Sequence, residues 1–388
     1  MSEVIIVGGN HHNTLGVVRA LGRKDIHPVV ILTGNSKGSS ISRSKYIKKS
    51  FEAIESTSVV DFLLSHYATP GVKHVLIGCH DIIAAIFDEN YSRLSKFFYM
   101  PYTKNRVMGI YANKEKMRQL AESVGLTTPK SIEIVSSENV DLSAITYPCI
   151  TKPAASKDGS KRDICICNSI ESLREFLALR EGRRFQVQQF IDKEFEFQLI
   201  GCSIDAGETI VIPGVSKIIR AGNGSNTGFL KYDFISQDFE DTINLSEDFI
   251  RATGYSGLFS VEFLRGSDGK DYFMEINFRN DGNAICTTNA GANLPYWWVR
   301  KCLGQETEIP QMNHVEYVMP EFIEISSWYT GRISFSTMLA DFKLATSYMD
   351  YAADDKAPTS GWNRFIVDLI MLSVKKPARK FLKVLKKV

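Results

Sequence analysis

The sequence is short of the features that staple or anchor a chain. Its seven cysteines are odd in number and scattered, and no two are spaced as CxxC. That argues against a disulfide scaffold and a zinc site, and makes the reducing cytoplasm the default setting. Cys165 and Cys167 lie two apart on an expected strand and read as packing residues on one face. No stretch reaches the ~18 consecutive apolar residues of a transmembrane helix. The opening MSEVIIVGGN lacks a basic segment followed by an apolar one, so no signal peptide is expected. A surplus of one charge is missing too. The 46 basic and 44 acidic residues leave a net charge of +2, whereas a nucleic-acid binder usually carries a basic domain. The sequence holds no internal repeat, no low-complexity segment, no GxxxxGK[ST] loop, no GxGxxG fingerprint and no Ser/His/Asp or Cys/His nucleophile signature.

What is present is an ordinary globular balance, 44% hydrophobic and 23% charged over 388 residues. At ~150 residues per domain this predicts two or three domains, with a core large enough to need no staple. Residues 3–8 (EVIIVG) form an apolar run ending in glycine, the pattern of a buried parallel strand. Residues 28–33 and 74–78 repeat it, with Leu15, Val18 and Leu21 at helical spacing between the first two and a helix expected after the third, capped by Asp81. Strand, helix, strand at this spacing predicts a doubly wound α/β unit. Gly8-Gly9-Asn10 reads as a tight turn. His11, His12, His80 and Asp81 fall at strand carboxyl ends, the edge where open α/β sheets bind ligands.

Near residue 105 the pattern changes. An amphipathic helix is expected from Lys114 to Gly125, then strands at 147–152, 163–167, 185–191, 194–204, 208–219, 229–235, 256–264 and 271–277, with helices at 169–181 and about 239–253. Hairpin turns and few helices suggest an antiparallel sheet, so the chain reads as α/β followed by α+β.

The most informative segment is Ser260–Gly282. Asp268-Gly269 is a strong two-residue hairpin signal. A turn centred there sets Glu262 opposite Glu275 and Ser260 opposite Asn277, with Val261, Phe263, Met274 and Ile276 on the apolar face. Opposed residues have Cβ atoms ~5 Å apart, and like charges there are destabilising. Two glutamates, Asn277 and then Arg279 on one face call for a hard divalent cation such as Mg²⁺, which takes oxygen ligands and bridges phosphates. The alternative is a solvated outer face, which the aromatic and aliphatic flanks speak against.

Lys152 ends an apolar strand and must snorkel or meet an anion. The loop from Pro153 to Lys161, with Ser156 and Lys157, offers backbone N–H groups and small side chains suited to polyphosphate. Glu194, Glu196 and Gln198 share one face of the next long strand. The preceding Gln189-Phe190-Ile191 could bind an adenine edge through its backbone and Glu194 a ribose; an ordinary half-buried strand is the alternative. Lys217 and Arg220 open a glycine- and asparagine-rich segment and could bind a substrate carboxylate or its phosphorylated form; a plain hairpin loop is the alternative.

Taken together, these residues resemble the ATP-grasp superfamily over about residues 1–304. The resemblance is most specific at Glu262 and Met274-Glu275-Ile276-Asn277-Phe278-Arg279. It implies that Glu262, Glu275 and Asn277 hold two Mg²⁺ ions (Mn²⁺ being a substitute) on ATP phosphates, and that Arg279 contacts the transferred phosphate. It also implies nucleotide lysines at Lys114 and Lys152, a phosphate lid at 154–162, a hinge at Gln189-Phe190-Ile191 and a ribose ligand at Glu194. Gln189 departs from the acid usual there, and the lid has fewer glycines than many relatives. The implied fold is an N-terminal doubly wound α/β domain (1–105), then a small subdomain with the lid (106–191), a central antiparallel-sheet domain with the metal site (192–304) and a C-terminal extension (305–388). The implied activity is ATP-dependent joining of a small-molecule carboxylate and an amine through an acyl phosphate, on amino acids or cell-envelope precursors. Carboxylate–amine ligases of the carbamoyl-phosphate-synthase-like kind, D-aspartate ligases included, look nearest. A carboxylase-type ATP-grasp enzyme and a non-catalytic ATP-binding protein stand as alternatives.

Residues 375–388 (KKPARKFLKVLKKV) hold seven basic residues and no acid. They suit either peripheral contact with an anionic membrane or a solvated terminal helix. No nucleic-acid partner is expected, and a dimer is simply the common oligomer.

Overall fold

The computed structural model describes residues 2–103, 108–111, 113–137, 140–153, 163–222 and 225–360. The apolar runs of the first hundred residues form five parallel strands: β1 (Val4–Gly8), β2 (Val29–Thr33), β3 (Lys49–Ile54), β4 (His74–Gly78) and β5 (Phe98–Tyr99), in the order β3-β2-β1-β4-β5. Side chains alternate between the faces of a strand, and both faces here are apolar. Ile6, Val30, Leu32 and Ile77 pack with the helix His12–Gly22, while Ile5, Val7, Ile31 and Leu76 pack with the helices Val59–Tyr67 and Asp81–Glu89. The unit is doubly wound, as expected. Gly8 makes the exit from β1 possible, because a Cβ there would stand 2.3 Å from Thr14 Oγ1. One detail differs. The N-cap of the third helix is His80, with no side-chain capping bond, and Asp81 is its first helical residue. The Asp81 carboxylate is turned instead to Arg279.

A four-stranded antiparallel sheet follows, β6 (Ser131–Val135), β7 (Cys149–Pro153), β8 (Cys165–Cys167) and β9 (Arg184–Gln189), ordered β6-β9-β7-β8. Cys149 pairs with Cys167 in the ladder, and both pack under Leu173, Phe176 and Leu177 of the helix Ile170–Ala178. The largest sheet holds β10 (Lys193–Ile204), β11 (Thr209–Val211), β12 (Val215–Gly222), β13 (Ser225–Asp233), β14 (Gly257–Gly266), β15 (Asp271–Asn277), β16 (Glu316–Met319) and β17 (Ser347–Tyr348). Its order is β15-β14-β10-β12-β13-β16-β17, with β11 paired to β10. The single strand expected at 208–219 is broken in two at Pro213, which has no N–H to give a ladder.

Two buried polar knots tie the first sheet to the rest. Asn13 Nδ2 donates to the carbonyls of Cys79 (2.7 Å) and Asn280 (2.8 Å), and Asn280 Nδ2 returns a bond to Asn13 Oδ1. Arg19 and Asp355, each 1% exposed in its side chain, form an ion pair at 3.1 Å. Asp355 also accepts from Ser44 Oγ at 2.7 Å and from the Lys45 N–H at 3.1 Å. The first knot fixes the carboxyl edge of β1 and β4 against the end of β15, and the second ties the first helix to residues 350–355. Among the described residues no helix is long and apolar enough to cross a membrane. The basic segment 375–388 lies outside them.

Candidate active site

In the β14–β15 hairpin, Glu262 faces Glu275 and Ser260 faces Asn277, but not by way of a two-residue turn. The Gly266 N–H donates to the Lys270 carbonyl at 2.8 Å, and the Gly269 N–H to the Gly266 carbonyl at 2.9 Å, so the loop holds residues 267–269. Gly269 takes φ +79°, the left-handed conformation that favours glycine. Arg265, Leu264 and Phe263 then face Asp271, Tyr272 and Phe273, one step out of line with the glutamate pair. Met274 is the extra residue of a β-bulge that restores the register. The apolar face is therefore Val261, Phe263, Phe273 and Ile276, all in one core cluster. Met274, expected on that face, lines a cavity instead.

The glutamates separate two cavities. One, of about 270 Å³, lies between the four-stranded and the large sheet and is lined by Lys114, Lys152, Gln188 and Glu196 among others. The second, of about 410 Å³, lies toward the first sheet and is lined by His11, His80, Asp81, Arg279 and Asp281 among others. Glu262, Glu275 and Gln198 line both. Glu262 is 7% exposed and accepts from Asn277 Nδ2 at 3.0 Å and Gln198 Nε2 at 3.3 Å. The Glu275 carboxylate accepts no hydrogen bond from the described residues, and its cationic neighbour is Lys152. Lys152 Nζ donates to Gln188 Oε1 at 2.8 Å. Burial and the nearby Lys114 push its pKa down to about 8, with Glu275 opposing.

The donors at the wall are hard oxygens, which fit a cation of the Mg²⁺ kind. Among the described residues no group of three or more His, Cys, Asp or Glu gathers around one point. The remaining ligands would come from phosphate and water, the usual company of Mg²⁺. Asn277 acts as a link. Its Nδ2 donates to Glu262 and, at 3.2 Å, to Ser260 Oγ, while its Oδ1 accepts from Arg279 Nη2 at 3.0 Å.

In the second cavity Arg279 Nε and Nη2 donate to the two oxygens of Asp81, at 2.5 and 3.1 Å. Burial alone would lower the pKa of this guanidinium; Asp81, Asp281 and Glu262 outweigh it, and the charge is held firmly. Burial and Arg279 lower the pKa of His11, whose Nδ1 accepts from the Asn13 N–H at 3.2 Å. His80 is lowered chiefly by burial, against the pull of Asp81. Its Nε2 lies 3.1 Å from Thr33 Oγ1, and that hydroxyl donates to the Gly8 carbonyl at 3.2 Å. The hydroxyl proton is thus committed, which assigns the ring proton to His80 Nε2 and leaves Nδ1 a lone-pair acceptor.

Several expected site residues lie elsewhere. Lys217 pairs in register with Phe197, on the face of the sheet opposite to Gln198 and Glu262. Its Nζ lies over the rings of Phe195 and Phe239, at 5.1 and 5.0 Å. Arg220 is held by Glu324 and Asp341 and lines neither cavity. Glu194 falls in a register irregularity between Lys193 and Phe195 and is exposed. Glu196 takes its place on the cavity wall. The hinge backbone is partly committed, since the N–H of Gln189 donates to Lys130 O (2.7 Å) and that of Phe190 to Pro148 O (2.9 Å). Neither these residues nor Ile191 line the first cavity. Ser156, Lys157 and the whole loop 154–162 lie outside the described residues. Sequence reasoning passed over Gln188 and Gln198. Gln198 could have been found, because alternation along β10 puts it on the Glu196 face and the ladder then sets it beside Glu262.

Residues 218–354 match the family model described as ATP-grasp in the biosynthetic pathway with Ter operon. The chain is 24% identical over 197 residues to the formate-dependent phosphoribosylglycinamide formyltransferase of Bacteroides fragilis, covering 49% of this chain and 50% of that protein. It is 25% identical over 189 residues to the D-alanine–D-alanine ligase of Fusobacterium nucleatum, covering 45% of this chain and 60% of that one. The chain thus spans about half the length of the curated relatives it matches. Its fold resembles the biotin carboxylase domain of Hydrogenobacter thermophilus 2-oxoglutarate carboxylase, solved with MgADP and bicarbonate, at a TM-score of 0.64 and 15% identity over 81% of this chain and 74% of that one. The fold is the ATP-grasp fold.

Proposed function

We propose that the protein is an ATP-dependent carboxylate–amine ligase that forms an amide through an acyl phosphate. The observation that carries the reading is the shared wall. One pair of glutamates faces a lysine-lined cavity on one side and a cavity with Arg279 and His80 on the other. ATP in the first cavity would meet Lys114 and Lys152, with its γ-phosphate at the wall. Divalent cations held by Glu262 and Glu275 would neutralise phosphate charge there. Asn277 holds Glu262 and Arg279 in line.

In the first step a substrate carboxylate oxygen attacks the γ-phosphorus, the bond to the bridging oxygen of ADP breaks, and ADP leaves. The barrier is largely repulsion between anions, so positioned positive charge from Lys152 and Arg279 lowers it. In the second step an amine attacks the acyl carbon and phosphate leaves with the C–O electron pair. His80 Nδ1, its lone pair fixed by the Thr33 bond, takes the proton that the amine sheds. The substrate amino acids or cell-envelope precursors implied by the sequence belong to this proposal.

ADP release measured over a panel of amino acids and small acids tests it, with repeated turnover, beyond the single equivalent of the first step, only when both a carboxylate and an amine are supplied. Glu275→Gln is expected to cut that release by ~100-fold or more with the circular dichroism spectrum unchanged. Full activity in that variant would refute the wall assignment. ADP release that answers to bicarbonate and to no amine would favour a carboxylating enzyme instead.

A further inference from the structure

A third cavity, of about 310 Å³, adjoins the second and shares His11 with it. None of its lining residues belongs to the nucleotide cavity or the glutamate wall. It is assembled from three distant stretches of chain: residues 10–15, Ser40 and Ile41, and residues 320–359. Its lining includes the hydrocarbon of Leu15, Ile41, Phe322 and Ile323. Phe322 is 39% exposed, a large apolar surface at a cavity edge.

Asp350 lines this cavity as well. Its backbone is fully used: the N–H donates to Glu321 at 3.2 Å, and the carbonyl accepts from Arg19 Nη1 at 2.7 Å. Its carboxylate accepts no hydrogen bond from the described residues. Arg19 Nε and Nη2 donate to the carboxylate and the carbonyl of Asp355, at 3.1 and 3.0 Å. A mostly buried carboxylate without a donor is costly, and burial pushes this one up to about 6 against the pull of Arg19. His12 lines the same cavity with a buried Nε2 that has no partner. Burial and His11 push its pKa down to about 3, so at neutral pH it carries no charge to repel a cation. A bare metal ion is a poor match, because Asp350 is the one carboxylate of the lining, and among the described residues no group of three or more His, Cys, Asp or Glu could hold a metal ion. An organic cation with an aliphatic stem suits both the carboxylate and the hydrocarbon of this lining.

We infer that this cavity is the side-chain subsite of the amine substrate, and that it selects an aliphatic stem ending in a protonated amine, as in a diamino acid. The stem lies on Phe322 and Ile323, the terminal ammonium meets Asp350, and the reacting amine passes His11 toward His80. The inference rests on the ligase reading, whose failure the following experiment distinguishes.

Calorimetric titration of the full chain with lysine and norleucine, each in both hands, compares one stem with and without the terminal charge. Lysine is expected to bind about tenfold tighter or more, the scale of one hydrogen bond to a charged group. Asp350→Asn is expected to erase that preference. Phe322→Ala, at an exposed position, is expected to weaken lysine and norleucine alike, and it carries the test if the Asp350 variant does not fold. Equal binding of the two probes, no binding of either, or a preference that survives Asp350→Asn overturns the subsite. A preference that disappears in Asp350→Asn, with no ADP released from ATP under any amine and carboxylate, upholds the subsite and overturns the ligase reading.

Discussion

Lys152 shows how much a single environment decides. An ordinary lysine titrates near 10.5; burial and Lys114 bring this one to about 8. The fold therefore penalises its ammonium form. Its contribution to stability is complete above 10.5 and is lost as the pH falls toward about 8. Binding runs the other way, because phosphate needs the ammonium. MgADP affinity measured by calorimetry should fall as the pH is raised through about 8, and Lys152→Arg should flatten that fall, since arginine stays charged. A flat profile in the unaltered protein would contradict the assignment. Lys152 was legible in the sequence because a charge at the end of an apolar strand must reach either water or an anion. Lys217 and Arg220 were not. Alternation along one strand separates two faces without saying which one meets a ligand, and only the ladder with β10 turns Lys217 toward Phe195 and Phe239. His80 Nδ1 escaped for a different reason: its lone pair depends on Thr33 and Gly8, which are distant in sequence.

Among the elements, the β14–β15 hairpin was read correctly for an incomplete reason. The turn is one residue longer than Asp-Gly suggests, and the bulge at Met274 cancels the slip before it reaches Glu275. Bulges leave little trace in composition, so the glutamate pairing was legible while the path to it was not. The same kind of irregularity between Lys193 and Phe195 moved the cavity acid from Glu194 to Glu196. The hairpin offers a direct check. At Gly269, φ is +79° and a Cβ would meet nothing within 4 Å, so Gly269→Ala tests conformation alone. It should cost about 1–2 kcal/mol in urea denaturation, with ADP release unchanged because the bulge, not the turn, aligns the glutamates. A loss of activity larger than the loss of stability would show that the turn sets the register.

At the level of the whole molecule, the run of parallel strands and the later antiparallel sheets were plain from apolar runs and hairpin signals. The joints between them were not, since Asn13 with Asn280 and Arg19 with Asp355 join residues more than 260 positions apart. Truncating one partner of a buried ion pair leaves the other charge stranded, at about 3–5 kcal/mol. Asp355→Ala should show that loss in chemical denaturation, and a loss below 1 kcal/mol, within the range of exposed pairs, would mean that the joint is wet. The shared wall has a consequence of its own. Glu262 and Glu275 belong to two chambers at once, so neither chamber can be redesigned there in isolation. Divergence among chains built this way must collect on the far rims. Two such proteins with identical partitions and different rims would burn the same fuel to make different goods.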